Sequence, residues 1–151
     1  MPESKRILFC TDFSENARIA FNFAIDEAAR SPSSDLFLLH VLPPPDATYW
    51  KPYIYQLDDQ VDKKAKDEFE QKVQQEYASS IPANTTFKPI FRVGKPDQEI
   101  LKAAQELQVD LVVLGRQGRG TLQTFFFGSI ASKVVQKAAC PVLVIPPKAT
   151  K

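Results

Sequence analysis

The sequence predicts an α/β protein built on one parallel sheet of five strands. Short apolar runs, of the kind found in strands buried on both faces, alternate with segments whose apolar residues recur at helical spacing. This β-α-β-α-β-α-β-α-β order fills the 151 residues, and we interpret residues 1–151 as a single domain. Such an order places helices on both faces of the sheet. Ligands of these sheets bind beyond the carboxyl ends of the strands.

The strands are predicted from apolar runs that end at turn-forming residues. In chain order they cover residues 6–10, 35–42, 87–93, 110–114 and 141–145. The first run, RILFC, is interrupted by Thr11-Asp12-Phe13-Ser14, and the second, DLFLLHVL, ends at three prolines. Continuous runs of this length are typical of strands that are covered on both faces.

The helices are predicted from apolar residues at steps of three and four. In chain order they cover residues 15–29, 56–78, 96–107 and 127–138. Ser14 can cap the first helix, and Pro96 stands in the first turn of the third, where no amide donor is needed. The second helix carries an apolar stripe consisting of Val61, Ala65, Phe69, Val73 and Tyr77. Its charged residues mix both signs, as on a solvated face.

Composition and charge exclude several classes of function. The formal net charge is +1, so neither nucleic acid nor an anionic membrane is expected as a partner. No apolar stretch approaches the roughly 18 residues that span a bilayer, and the first strand begins too early to leave room for a secretion signal. The two cysteines, Cys10 and Cys140, have no disulfide-framework or metal-site spacing and are expected to be inert packing residues. We expect a cytoplasmic protein.

Four of the five glycines lie between residues 115 and 128, where the fourth strand gives way to the last helix. The spacing of Gly115, Gly118 and Gly128-Ser129 matches neither a Walker A loop nor a GxGxxG fingerprint. Glycines at this place let a phosphate approach the first amides of a helix, which attract anions. In the alternative interpretation, the glycines only allow a long connection to turn.

Several other residues permit two interpretations. Asp12, just after the first strand, either accepts hydrogen bonds from a nucleoside or bonds the first amides of the following helix. Arg116 and Arg119 are either forked phosphate donors or solvated loop residues. His40, the only histidine, is expected to be a hydrogen-bonded core residue, not a catalyst. The aromatic stretch 49–55 either covers a ligand or anchors a loop.

These motifs together resemble the universal stress protein family. The residues that carry the likeness are ILFCTDFSENARIAFNFA, LFLLHVLPP and LGRQGRGTLQTFFFGSIASKVVQKAACPVLVIP. The most specific element is G-x2-G-x9-G-[ST], which in this family marks the subgroup that binds ATP. The resemblance implies the strand order 3-2-1-4-5, a fold like that of the adenine nucleotide alpha hydrolases, and a homodimer joined through the last strands.

The resemblance also implies which residues hold the nucleotide. The implied set is Thr11, Asp12, Val41, Gly115, Gln117, Gly118, Gly128, Ser129, Ile130 and Ala131. Asp12 and the main chain of Val41 would meet the nucleoside, while the glycines and Ser129 would approach ribose and phosphates. ATP is the implied cofactor, with ADP and AMP as alternatives, and whether Mg²⁺ accompanies it is open. No catalytic residue and no metal ligand is implied.

The predicted function is therefore that of an ATP-binding regulatory protein of the stress response, with slow hydrolysis at most. No residue is evidently placed to activate water, and no paired carboxylates stand ready for Mg²⁺ as in phosphoryl-transfer enzymes. The alternative is a homodimeric interaction module of the same fold that binds no nucleotide. An adenylating enzyme is disfavoured because CTDFS follows the first strand in place of a glycine-rich SGGxDS turn.

Overall fold

The computed structural model describes residues 4–43, 63–116 and 129–147. Five parallel strands form one sheet in the order β3-β2-β1-β4-β5. The strands are β1 (Lys5–Cys10), β2 (Ser34–Leu42), β3 (Thr85–Val93), β4 (Leu111–Gly115) and β5 (Val142–Ile145). Both the predicted fold class and the strand order implied by the resemblance are confirmed. The strand order reverses between β1 and β4, which are neighbours in space but not in sequence.

Helices connect the strands. They are α1 (Glu15–Arg30), α2 (residues 63–76), α3 (Pro96–Glu106) and α4 (Ile130–Lys137), and a 3-10 turn at Ala78–Ser80 follows α2. The predicted cap of α1 is confirmed, because Oγ of Ser14 accepts a hydrogen bond from the Ala17 amide at 3.1 Å. Pro96 occupies the first turn of α3, as expected. Among the helices of the described ranges, none is long and apolar enough to cross a membrane.

Some boundaries differ from the prediction for local reasons. β4 begins one residue later than predicted, at Leu111, because the Asp110 carboxylate accepts a hydrogen bond from the Arg6 amide at 2.8 Å. β3 begins two residues earlier than predicted because Thr85 pairs with Ser34 of β2. The predicted second helix ends two residues early because the chain tightens into the 3-10 turn. Residues 56–62 and 127–128 of the predicted helices lie outside the described residues.

The sheet separates two apolar layers. The first layer, on the side of α1 and α2, includes Phe9, Phe21, Leu36, Leu38, Phe69, Val73 and Tyr77. The second layer, on the side of α3 and α4, includes Leu8, Phe37, Leu39, Ile100, Val112, Ala131 and Val134. Successive strand residues point to opposite layers, as the pleat requires. The predicted stripe of the second helix is confirmed at Phe69, Val73 and Tyr77, which are buried, and Ala65 is half-buried. Val61 lies outside the described residues.

Candidate functional site

A cavity of about 490 Å³ opens at the carboxyl ends of β1, β2 and β4. It lies where the strand order reverses, which is the usual ligand site of such sheets. Its size falls in the range of small-molecule sites, roughly 300–1,000 Å³. Its wall is mostly apolar, and Asp12, Glu68, Lys72 and Arg116 bring charge to it.

The fold brings several predicted site residues together at this cavity. Six of them line it: Thr11, Asp12, Val41, Gly115, Ile130 and Ala131. Ser129 immediately precedes α4. The predicted positions Gln117, Gly118, Arg119, Gly128 and the aromatic stretch 49–55 lie outside the described residues. The cavity therefore unites the ends of three strands with the first turn of the last helix.

Thr11 is held through each of its polar groups. Its amide donates to the Leu39 carbonyl at 2.9 Å, which extends the contact of β1 with β2 by one residue. Its carbonyl lies 2.9 Å from Nδ1 of His40. Its hydroxyl lies 2.8 Å from the Tyr77 hydroxyl and accepts a hydrogen bond from the Phe13 amide at 2.9 Å. Thr11 is thus buried and bonded to β2, to Tyr77 and to the turn that follows it.

The chain turns sharply after Thr11. Phe13 adopts a left-handed backbone conformation with φ of 62°, which is uncommon for a residue with a side chain. Oδ1 of Asp12 accepts a hydrogen bond from the Ser14 amide at 2.9 Å, a turn that short acidic side chains stabilise. This bond stabilises the turn before α1, and Asp12 also lines the cavity.

Aromatic rings form the cavity wall on the side of α2. His40 stacks on Phe69 with ring centroids 6.0 Å apart, and Phe13 packs against His40 at 4.9 Å. Nζ of Lys72 lies 5.1 Å from the Phe13 ring centroid, within the range of a cation–π contact. His40 is hydrogen-bonded, as expected, but it is only half-buried and lies at the cavity wall, not in the core.

The main chain of Val41 faces the cavity because of the alternation along β2. The Leu39 carbonyl accepts from Thr11 on the β1 side, whereas the Leu42 carbonyl accepts from Gly94 on the β3 side. Backbone groups of alternate strand residues point to the same side, so the N–H and C=O of Val41 point to the β1 side, as those of Leu39 do. The last pair of β1 with β2 is Cys10 with Leu39. Val41 therefore presents its N–H and C=O where β1 has already turned away.

Asn16 of α1 shapes the end of β4. A Cβ atom at Gly115 would lie only 2.9 Å from Cγ of Asn16. Asn16 is buried, and its Nδ2 donates to the Ile145 carbonyl at 3.0 Å. The same carbonyl accepts from the Arg116 amide at 2.8 Å. A side chain at residue 115 would require Asn16 to move, so the small size of glycine suits this position.

The α4 side of the cavity is electropositive. The first amides of a helix have no intrahelical partners and carry a partial positive charge, and Ile130 and Ala131 bring this first turn to the cavity wall. Arg116 lies exposed at the cavity mouth. This arrangement can attract an anionic group.

Both cysteine thiols lie in environments that make them unreactive. Burial raises the pKa of the Cys10 thiol, and burial together with the charge of Asp110 raises the pKa of Cys140. Both thiols therefore stay protonated at neutral pH, as the expectation of inert cysteines requires. Within residues 4–43, 63–116 and 129–147, no group of three or more His, Cys, Asp or Glu side chains is arranged to hold a metal ion.

Sequence reasoning missed two polar residues that support the site. Tyr77 was predicted as a buried ring, without a role for its hydroxyl, and Asn16 was given no role. A signal for Asn16 does exist in the sequence. It continues, at steps of four, the fully buried row of Ala20, Ala24 and Ala28 on α1. A polar residue in line with such a row is expected to bond a buried partner.

Comparison with known proteins identifies relatives along nearly the whole chain. The model of the universal stress protein family matches residues 3–146. Universal stress protein MJ0577 of Methanocaldococcus jannaschii is 28% identical over 158 residues, which cover 95% of this chain and 96% of that protein. A universal stress protein of Thermus aquaticus is 30% identical over 141 residues, which cover 93% of this chain and 98% of that protein.

Solved structures agree with this assignment. The structure of MJ0577 matches with a TM-score of 0.77 at 29% identity, covering 97% of this chain and 98% of that one. A universal stress protein in complex with cAMP (TM-score 0.59, covering 97% and 100%) is 22% identical. One from Archaeoglobus fulgidus in complex with dAMP (TM-score 0.63, covering 96% and 99%) is also 22% identical. At this identity, the two complexes show a common fold. Since the family model covers nearly the whole chain, the protein belongs to the universal stress protein family.

Proposed function

We propose that the protein binds an adenine nucleotide, with ATP as the principal ligand, and acts as a regulatory protein of the stress response. The observation that carries this proposal is the cavity at the β1–β4 reversal, whose wall contains six of the residues implied by the family resemblance. Relatives of the same fold in complex with cAMP and dAMP support it.

The base is proposed to bind against Val41. An adenine presents an amine donor beside a ring-nitrogen acceptor, and the N–H and C=O of Val41 can pair with both. Leu39 and Ile100 line the same cavity and would cover the faces of the purine. Asp12, just beyond the carboxyl end of the neighbouring β1, would accept hydrogen bonds from the ribose.

The phosphates are proposed to bind at the start of α4. The amides of its first turn and the guanidinium of Arg116 supply positive charge there. Gln117, Gly118, Gly128 and Ser129 would complete the phosphate site, as the family motif implies. A few charge-assisted hydrogen bonds of about 1.5–3 kcal/mol each, together with purine burial, suffice for micromolar affinity, about −8 kcal/mol.

We propose binding without efficient catalysis. In this proposal, any Mg²⁺ is carried by the nucleotide phosphates themselves, and hydrolysis is slow at most. The two free thiols, Cys10 and Cys140, suit the reducing cytoplasm, where we expect the protein to act.

Calorimetric titration tests the proposal. ATP, ADP, AMP and cAMP are titrated separately, with and without Mg²⁺, and we expect ATP to bind with micromolar affinity. Gly128→Val should weaken ATP binding at least tenfold, because the added side chain blocks the approach to the helix amides. Val135→Ala, an exposed residue of α4, serves as the control and should bind like the wild type. Absence of heat with every nucleotide would contradict the proposed function.

The alternative is an interaction module that binds no nucleotide, and it shares with the main proposal the expectation of a homodimer. β5 forms an edge of the sheet, and its residues Val142, Leu143 and Val144 are only half-buried. An apolar edge strand is a ready surface for pairing, so we propose a homodimer joined through β5. Light scattering on the purified protein checks this, and a monomer at micromolar concentration would contradict it. A dimer that binds no nucleotide would favour the alternative.

A further inference from the structure

We propose that Tyr77 is a positioning residue of the nucleotide site: its buried hydroxyl fixes the side chain of Thr11, and Thr11 fixes the turn that carries Asp12. The effect on binding rests on the proposed function, whereas the effect on the turn rests on the contacts alone.

Tyr77 is embedded behind the site. It follows α2, is 1% exposed, and packs its ring against Phe21, Phe9 and Phe13 with centroids 4.6, 5.7 and 5.9 Å away. Burial raises the pKa of Tyr77 to about 12, so its hydroxyl keeps its proton at physiological pH. A hydroxyl in such a place needs a protein partner. That partner is Oγ1 of Thr11, at 2.8 Å.

The Thr11 hydroxyl that is bonded to Tyr77 is also bonded to the turn that follows β1. It accepts the Phe13 amide at 2.9 Å, which helps to hold Phe13 in its left-handed conformation. Asp12 lies between the two residues joined by this bond. The direction in which Asp12 enters the cavity therefore depends on the rotamer of Thr11, and Tyr77 fixes that rotamer.

The position of Tyr77 also clarifies the role of Thr11. Tyr77 belongs to the first layer, whereas Ala131, at the start of α4, belongs to the second. The hydroxyl of Thr11 thus points to the face of the sheet opposite α4. We assign this hydroxyl to the turn, and not to contact with the nucleotide phosphates.

The test compares Tyr77→Phe with Thr11→Val and with the double variant, all in the full chain. Tyr77→Phe keeps the ring and removes only the oxygen. Loss of one net hydrogen bond corresponds to about a threefold to tenfold effect. We expect adenosine affinity, measured by calorimetry, to fall by that factor in each single variant. The double variant should be no weaker than the weaker single variant, because both changes break the same chain of contacts.

A control separates positioning from general stability. Phe21→Leu disturbs the same aromatic cluster without removing a hydroxyl, and it should lower the thermal midpoint at least as much as Tyr77→Phe. Its adenosine affinity should fall clearly less than that of Tyr77→Phe, because Phe21 packs against Tyr77 but its replacement leaves the Tyr77 hydroxyl bonded to Thr11. Equal loss of affinity in Phe21→Leu and Tyr77→Phe would overturn the proposal.

Hydrogen exchange provides a readout that needs no ligand. The Phe13 amide should exchange at least threefold faster in Tyr77→Phe than in the wild type, and should be unchanged in Phe21→Leu after correction for global stability. An unchanged rate in Tyr77→Phe would overturn the inference. If the wild type bound no adenine compound, the proposed function would be wrong, and this exchange measurement would still decide the role of Tyr77 in the turn.

Discussion

The ends of β1 and β4 border the same cavity but are supported in different ways. At the end of β1, the side chain of Thr11 is fixed by a hydrogen bond with the Tyr77 hydroxyl. At the end of β4, Gly115 has no side chain, and the side-chain amide of Asn16 occupies the space where one would lie. Removal of one hydrogen bond weakens the support at the end of β1 only in part, whereas added atoms at the close contact of Gly115 with Asn16 force a displacement. We therefore expect graded effects from changes at the first strand end and abrupt ones at the second.

The largest effect is expected at the end of β4. In Gly115→Ala, the new methyl group would displace the Asn16 amide from its hydrogen bond with Ile145. Overpacking of this kind costs about 1–3 kcal/mol, so the free energy of unfolding, measured by urea denaturation, should fall by that amount. ATP affinity should fall at least tenfold, because Gly115 and Arg116 begin the proposed phosphate loop.

A double variant tests the cause of that effect. Asn16→Ala alone should cost about 1–3 kcal/mol, since it removes a buried hydrogen bond. In Gly115→Ala/Asn16→Ala, the amide that the new methyl group would meet is no longer present. The combined loss should therefore be smaller than the sum of the single losses by at least about 1 kcal/mol. Strict additivity would show that Asn16 is not the reason for the glycine.

An intermediate effect is expected at Asp12, where two variants separate its two roles. Asp12→Asn keeps an oxygen that can accept the Ser14 amide, whereas Asp12→Ala removes it. We expect Asp12→Ala to lower the free energy of unfolding by about 1 kcal/mol and Asp12→Asn by less than half of that. Adenosine affinity should fall in both variants. Equal stability of the two variants would show that the turn does not depend on this bond.

A smaller effect is expected from the backbone of Phe13. Phe13→Ala and Phe13→Gly both remove the ring, but only glycine adopts the left-handed region freely. Phe13→Gly should therefore be more stable than Phe13→Ala by about 1 kcal/mol. Thermal denaturation of the pair measures the difference, and a more stable alanine variant would contradict the left-handed turn.

The smallest effect is expected at the opposite end of β1, where Lys5 pairs with Glu27 at 2.9 Å. The hydrogen bond from Lys5 is the main cause that lowers the pKa of Glu27 in the folded state. The stabilisation is therefore present above the unfolded pKa of Glu27 and is lost as the pH falls through its lower folded pKa. Glu27→Gln should cost less than about 1 kcal/mol at pH 7.

This variant also serves as the distal control for the site. It should leave ATP affinity unchanged and should lose its stability difference from the wild type in acid. Denaturation at pH 7 and at acidic pH checks both expectations. A stability difference that persisted in acid would mean that the ion pair is not its source.

The strands and helices were predictable because apolar periodicity follows burial directly. The boundaries of the strands were less predictable, since side-chain hydrogen bonds such as that of Asp110 with the Arg6 amide decide where strand pairing starts. Strand order came from the family resemblance, because periodicity does not say which strands are neighbours. The hydrogen bond between Tyr77 and Thr11 behind the site was not predicted for a similar reason. Tyr77 and Thr11 are 66 residues apart, and nothing in the local pattern of either residue indicates the other.

A crystal structure of the protein grown with ATP is the decisive test of nucleotide binding in this cavity. We expect the adenine to lie within hydrogen-bond distance of the Val41 main chain and the phosphates to lie at the first amides of α4. A base bound elsewhere, or a cavity closed by protein side chains while ATP is bound at another surface, would contradict it.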